Sequence, residues 1–254
     1  MDRIEVEKTI DFIKEYFKLA SFAKGAVVGM SGGKDSLVVA KLCTEALGKE
    51  SVFGVIMPNG EMLDKHDAQK SCELLGIKYQ IVNISKAYKE VLDGTTQCLK
   101  PYNLEISNVT KVNTAPRIRM TLLYAIAGSM NYLVANTSNL SETMTGYTTK
   151  WGDNVGDFAP IANFTKTEVC EMGELLGLPK DLVYKNPSDG LSGKSDEENM
   201  EITYQNLDSL IRNGNKNSDY EQIIKLNKLS EHKRVGVAKF ENSRPNYLKD
   251  INNR

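Results

Sequence analysis

Two histidines, one tryptophan and four cysteines in 254 residues remove several chemistries from consideration. Cys43, Cys72, Cys98 and Cys170 are widely spaced and form no Cys-x-x-Cys pair, so neither a disulfide framework nor a thiolate metal site is expected. With His66 and His232 as the histidines, a structural zinc site is not expected either. Long apolar runs are missing too: no stretch approaches the roughly eighteen uncharged apolar residues that a membrane span requires. The opening MDRIEVEKTIDFIKEYFKLA carries charges throughout, unlike a signal peptide. There is no charge excess, with 32 Lys+Arg against 33 Asp+Glu and a formal net charge of -1. That balance argues against a nucleic-acid-binding surface while leaving room for a local basic pocket. The expectation is a cytoplasmic protein with reduced thiols and neither membrane nor nucleic acid as partner.

What is present is an alternation. Ile10, Ile13 and Phe17 fall at helical spacing within residues 4 to 20. AVVGM, SVFGVIM, YQIVNI and YLVAN are short, nearly all-apolar runs ending at turns, as in parallel strands covered on both faces. Helical patterns at 34–47, 62–75, 85–92 and 114–129 separate or follow them. The alternation predicts a single α/β domain over 1–254, built on a doubly wound parallel sheet of about five strands with helices on both faces. Further helices are expected at 166–177, 203–213 and 218–230, with a C-terminal helical part from about residue 200 and no second independent core. Ligands of such sheets sit beyond the carboxyl ends of the strands. SGGKDS, PNGE and TSNLSE all follow strands, so all three converge on one edge.

SGGKDS is neither of the common phosphate loops. Gly29 and Gly33 are one residue too close for a Walker loop, Asp35 stands where its hydroxyl belongs, and the dinucleotide fingerprint is absent. Glycines at 32 and 33 nevertheless let an anion approach the backbone, and a helix starting near Lys34 offers unpaired N–H groups and a positive dipole end. Ser31 and Ser36 add hydroxyls. Asp35 would repel phosphate unless Mg²⁺ sat between them, since that ion takes one or two carboxylates together with phosphate oxygens. The turn therefore predicts a nucleotide pyrophosphate with bound magnesium.

These residues resemble the ATP pyrophosphatases that carry an SGGxDS loop. TSNLSETMTGYTTKWGDNVGDFAPIANFTKTEV, NPSDGL, ITYQNLD and EHKR resemble, within that group, the ammonia-dependent NAD synthetases. The resemblance runs from the first helix to about residue 235. It implies that ATP adenylates the nicotinate carboxylate of deamido-NAD and that ammonia then displaces AMP. By position, Gly29, Met30, Ser31, Gly32, Gly33, Lys34, Asp35 and Ser36 would wrap the ATP phosphates, with Thr137, Lys166 and Ser188 completing that site. Asp35 and Glu142 would be the magnesium ligands. Arg117, Lys150, Asp157, His232 and Lys233 would bind deamido-NAD, in a site shared across a homodimer. Lys34 departs from the family pattern, as do Asn136 at a usual glycine and Ser188 at a common threonine.

Adenylation needs no protein nucleophile, in keeping with the lack of a Ser-His-Asp or Cys-His set. Its demand is electrostatic and suits Lys166, magnesium and the loop amides. Amidation needs ammonia deprotonated from ammonium, for which Asp153, between Lys150 and Asp157, is the candidate base. Glutamine-using relatives carry an extra amidase domain, whereas about twenty-five residues precede the first strand here, so free or separately delivered ammonia is expected. Two alternatives remain: another SGGxDS enzyme, such as a tRNA-modifying ATP pyrophosphatase, and a non-catalytic nucleotide sensor.

Overall fold

The computed structural model describes residues 1–60, 65–184 and 195–240. The first helix, α1 (Arg3–Leu19), is capped by the Asp2 side chain, which accepts the Glu5 N–H, and it buries Val6, Thr9 and Ile13 on one stripe. There follow β1 (Ala26–Gly29), α2 (Lys34–Leu47), β2 (Val52–Ile56), α3 (Lys65–Leu75), β3 (Lys78–Ile81), α4 (Ser85–Leu99), α5 (Asn108–Met130) and β4 (Leu133–Ala135). After β4 the described chain is helical: α6 (Leu140–Thr145), α7 (Lys166–Leu175), α8 (Lys180–Val183), α9 (Asp196–Met200), α10 (Tyr204–Asn213), α11 (Tyr220–Leu229) and α12 (Glu231–Arg234).

All strand pairs are parallel, in the order β3-β2-β1-β4. Val27 lies beside Phe53 and Val134, and Val28 beside Gly54 and Ala135. The two-residue period sends Val27, Val55 and Val134 to one face, packed with Ala115, Met120, Leu123 and Ala127 of α5. Ala26, Val28, Val52 and Ile56 face the other way, onto α1, α2, α3 and α7. Covering both faces is what makes β1, β2 and β4 read as continuous apolar runs, whereas the edge strand β3, expected to be covered too, is largely exposed. The chain moves from β1 to β2 and β3 on one side and returns to place β4 on the other. The switch point therefore lies between the carboxyl ends of β1 and β4.

Three expectations need correction. The sheet has four strands among the described residues, not about five. A fifth position survives as a single parallel bridge between Ala135 and Phe158. Pro160 lies two residues on, has no N–H to donate and does not extend the ladder. The helix expected over 114–129 begins earlier, because α5 starts at Asn108 with the Ser107 side chain accepting the Thr110 N–H. Pro116 lies inside this helix. Finally, Met200, Ile202, Tyr204, Leu207 and Ile223 of the C-terminal helices form a small buried cluster of their own. It is a satellite of the two large clusters on the sheet.

Candidate active site

The glycine turn sits at the end of β1. Gly32 has φ 85, a left-handed value that glycine adopts without steric cost. Gly33 is the N-cap of α2 and has no side chain to satisfy the first N–H groups of the helix. The serines stabilise the turn itself. The Ser36 hydroxyl donates to the Gly33 carbonyl at 2.9 Å, and Ser31 Oγ accepts the Gly33 N–H at 3.2 Å. The hydroxyl of Ser36 is thus turned inward, and the anion-binding capacity of the turn lies mainly in its backbone. Lys34 is 9% exposed, and its ammonium interacts with the Cys170 thiol on α7. Burial raises the Cys170 pKa, so that thiol is neutral.

Across the switch point, α6 begins with a capping box. Asn139 Oδ1 accepts the Glu142 N–H and Glu142 Oε2 accepts the Asn139 N–H. The Asn139 side-chain amide donates to Asp35 Oδ1 at 3.0 Å, linking this cap to α2. Lys166, the first residue of α7, places its ammonium 3.0 Å from Asp35 Oδ2 and 2.7 Å from Glu142 Oε1. Two carboxylates that stand 107 positions apart in the sequence thus share one nitrogen, a lysine 5% exposed. A cation in the first turn of a helix is unfavourably placed against the helix dipole, and these carboxylates outweigh that cost. Burial disfavours the Lys166 charge, but Asp35 and Glu142 hold its pKa well above the ordinary lysine value. Burial raises Glu142 to about 7, with Asp35 adding to the rise and Lys166 opposing it. Two carboxylates against one ammonium leave a formal negative excess in a nearly buried place.

That donor set fits a hard divalent ion. Two carboxylates plus phosphate oxygens are what Mg²⁺ takes in nucleotide sites. Among the described residues no three His, Cys, Asp or Glu side chains gather to hold a metal unaided. Thr137 lies partly exposed just beyond β4, toward the same edge. Ser188 lies outside the described residues.

A second group of side chains gathers around the loop from 146 to 155. Arg117 Nε donates to the Lys150 carbonyl at 3.1 Å. Lys150 Nζ donates to the His232 carbonyl and lies 5.3 Å from the centre of the exposed Trp151 ring. Lys233 Nζ donates to the carbonyls of Gly146 and Thr148, each at 2.7 Å. Arg117, Lys150, His232 and Lys233 are therefore brought together. Asp153 joins this group: one carboxylate oxygen accepts the Thr149 N–H at 2.6 Å, and its charge acts on Lys233 and Arg119. Packing around that carboxyl raises its pKa, although the residue as a whole keeps exposed surface.

Asp157 is placed differently. Its carboxylate accepts the Val134 N–H at 2.7 Å and the Tyr124 hydroxyl at 3.4 Å, while its carbonyl accepts the Tyr16 hydroxyl at 2.6 Å. It ties α1, α5 and the rudimentary fifth strand to β4. Asn136, where the family usually has glycine, has an equally clear role. Its amide donates to the carbonyls of Asp153 and Val155, at 2.9 and 3.0 Å, and pins the loop to the end of β4.

Several residues at the site escape sequence reasoning. Asn139 was readable in the N-x-x-E spacing of a capping box. Arg119, whose Nε donates to the Met57 carbonyl at the end of β2, has no such signal. Neither has Arg234, which anchors the C-terminal helices through the carbonyls of Thr143, Met144 and Asn227. Asp208 and Tyr204 of α10, both near Lys166, fall within ITYQNLD, but nothing in that stretch assigns them a role.

Comparison with known proteins agrees with this arrangement. A family model described as NAD synthase matches residues 5–245. The NH(3)-dependent NAD(+) synthetase of Thermococcus sibiricus is 40% identical over 252 residues, covering 89% of this chain and 96% of that protein. Among solved structures, NMN synthetase from Francisella tularensis superposes with a TM-score of 0.84 at 33% identity, covering 94% of this chain and 98% of that one. The NH3-dependent NAD synthetase from Campylobacter jejuni gives a TM-score of 0.73 at 32% identity, covering 95% of this chain and 100% of that one. With an open glycine turn facing a lysine held by two carboxylates, and with this breadth of similarity, the chain belongs to the NAD synthase family.

Proposed function

We propose that the chain is an ammonia-dependent NAD synthetase. The observation that carries this reading is the Lys166 ammonium between Asp35 and Glu142, beside an unblocked helix start at the switch point of the sheet. A carboxylate oxygen of deamido-NAD attacks the α-phosphorus of ATP, the bond to the β-phosphate oxygen breaks, and pyrophosphate leaves. The amides of Ser31 to Lys34, with the Lys34 ammonium, hold the phosphates. Lys166 brings positive charge to the reacting phosphates and orients them. Asp35 and Glu142 would hold Mg²⁺, which neutralises charge developing on the departing pyrophosphate. Thr137 and Ser188 complete the nucleotide site in this reading.

The second step forms the amide. Ammonia attacks the acyl carbon, AMP leaves, and a proton is lost from nitrogen. Asp153 takes a proton from ammonium and keeps the nucleophile neutral. Arg117, Lys150, His232 and Lys233 bind the dinucleotide, with Asp157 supporting the loop from behind. Pairing of two chains is supported by α4, which has no buried residue, and by the apolar surface of Val91, Tyr102, Leu104, Val109 and Val112 on α4, α5 and the segment between them. No helix among the described residues is long and apolar enough to cross a membrane.

Incubation with ATP, Mg²⁺, ammonium and deamido-NAD should yield NAD, AMP and pyrophosphate in equal amounts. Release of ADP would mean that a different bond is cut. One observation favours a second reading: the structure that superposes with a TM-score of 0.84 is described as an NMN synthetase. The same assay with the deamidated mononucleotide separates the two, since NMN formed in preference to NAD would move the reading to the smaller substrate. A tRNA-modifying role is opposed by the near-neutral charge and the missing Cys-x-x-Cys pair, and tRNA binding with a steep salt dependence would revive it.

A further inference from the structure

Helix α10 carries two side chains, Tyr204 and Asp208, one turn apart and therefore on one face. Both reach Lys166, from opposite ends. The Tyr204 ring lies 5.1 Å from Lys166 Nζ and covers the ammonium, while its hydroxyl donates to Asp196 at 3.1 Å, fixing the ring. Asp208 is 7% exposed and works on the backbone. Its Oδ2 accepts the Thr167 N–H at 2.9 Å and the Thr167 hydroxyl at 2.6 Å. Its Oδ1 accepts the Ser141 hydroxyl at 2.5 Å, and Ser141 Oγ accepts the Lys166 N–H at 2.9 Å. The first two amides of α7 are thus held by one carboxylate, directly and through one hydroxyl. Ser141 is also the neighbour of Glu142 on α6, so Asp208 joins the helix carrying the lysine to the helix carrying one of its partners.

The geometry points to Asp208 and Tyr204 as positioning residues that set the Lys166 ammonium between Asp35 and Glu142. A long, flexible lysine side chain has much rotamer freedom to lose. Fixing its root through the start of α7 and its tip beneath an aromatic face removes much of that freedom before any ligand arrives. A carboxylate at a helix N-terminus is also favoured by the dipole, which makes the anchor at Asp208 durable. In this role neither residue needs to touch the substrates. The inference rests on the assignment of Lys166 to the nucleotide site.

A double-mutant cycle on the full chain tests it, read by calorimetric titration with Mg²⁺ and ATP. Asp208→Asn is expected to weaken ATP binding about tenfold in the parent and less than twofold in a Lys166→Met background. Tyr204→Phe should bind ATP as the parent does, whereas Tyr204→Leu should weaken binding about fivefold, again only when Lys166 is present. Equal losses with and without Lys166 would make α10 a mere structural brace and overturn the inference, as would no loss in either background. Should Asp208→Asn fail to fold, Ser141→Ala breaks the same relay and carries the same cycle. The readout is nucleotide binding alone. Failure to make NAD would therefore defeat the proposed function without touching this result, and additivity would defeat the positioning role without touching the function.

Discussion

The two halves of the candidate site are built on opposite principles. At the switch point, Asp35, Glu142 and Lys166 are nearly buried, and each charge has a partner within 3.0 Å. Around the loop from 146 to 155, Arg117, Lys150 and Lys233 are tied by carbonyl groups, and Arg117 and His232 remain exposed. A buried ion cluster fixes geometry, and removing one member leaves charges unpaired in low dielectric. Cations held by neutral carbonyls keep their charge available to an incoming anion and are screened by salt. The first arrangement suits a step in which charge must be met at a defined place. The second suits holding a large, charged, partly solvated substrate.

That contrast can be broken by substitution. Lys166→Met should give the largest effect, lowering the adenylation rate by roughly 10²–10³-fold, as loss of a preorganised electrostatic contact does. Pyrophosphate release in single turnover measures it, and a change below tenfold would remove Lys166 from the chemistry. Asp153→Asn comes next. Amidation should fall by about 10²-fold, within the usual range for a lost general base, while adenylate still accumulates. Equal loss of both half-reactions would exclude the proton-accepting role. Lys150→Ala should raise KM for deamido-NAD by about tenfold and leave KM for ATP within about twofold, the size of one lost charge-assisted contact. If the KM for ATP rises instead, the boundary between the halves is misplaced.

The smallest effect concerns stability. Burial places the Glu142 pKa at about 7, above its ordinary 4.5. The folded state therefore binds the proton more tightly than the unfolded state, so the contribution of Glu142 is complete below pH 4.5 and lost as pH rises toward 7. Compared with Glu142→Gln, the parent should lose stability across that window, the Lys166 pairing being already contained in the net rise. Chemical denaturation at several pH values measures the difference. A parent that gains stability relative to the variant across the window would show that pairing outweighs burial.

Much of this was legible because it depends on local pattern. Apolar runs ending at turns marked β1, β2 and β4, and the turn after β1 announced both its flexibility and its open helix start. Topology then sufficed to bring Asp35 and Glu142 together without any contact being known. The lysine at the start of α7, unfavourable against the dipole, pointed to an anion nearby, and two are there. What stayed hidden depends on long-range packing. Asp208 is a buried acid on an amphipathic helix, and nothing in ITYQNLD says which helix it will cap. The family resemblance implies Asp157 as a dinucleotide ligand, and its carboxylate is seen holding the edge of β4. The helical pattern over 114–129 misses the first turns of α5, whose capping residue is Ser107.

The most direct measurement is a crystal structure of the chain with Mg²⁺ and a non-hydrolysable ATP analogue. One ion should stand about 2.1 Å from an oxygen of both Asp35 and Glu142, with the triphosphate on the amides of residues 31–34 and Lys166 turned to it. A triphosphate seated away from the glycine turn, or an ion that touches neither carboxylate, would contradict the account.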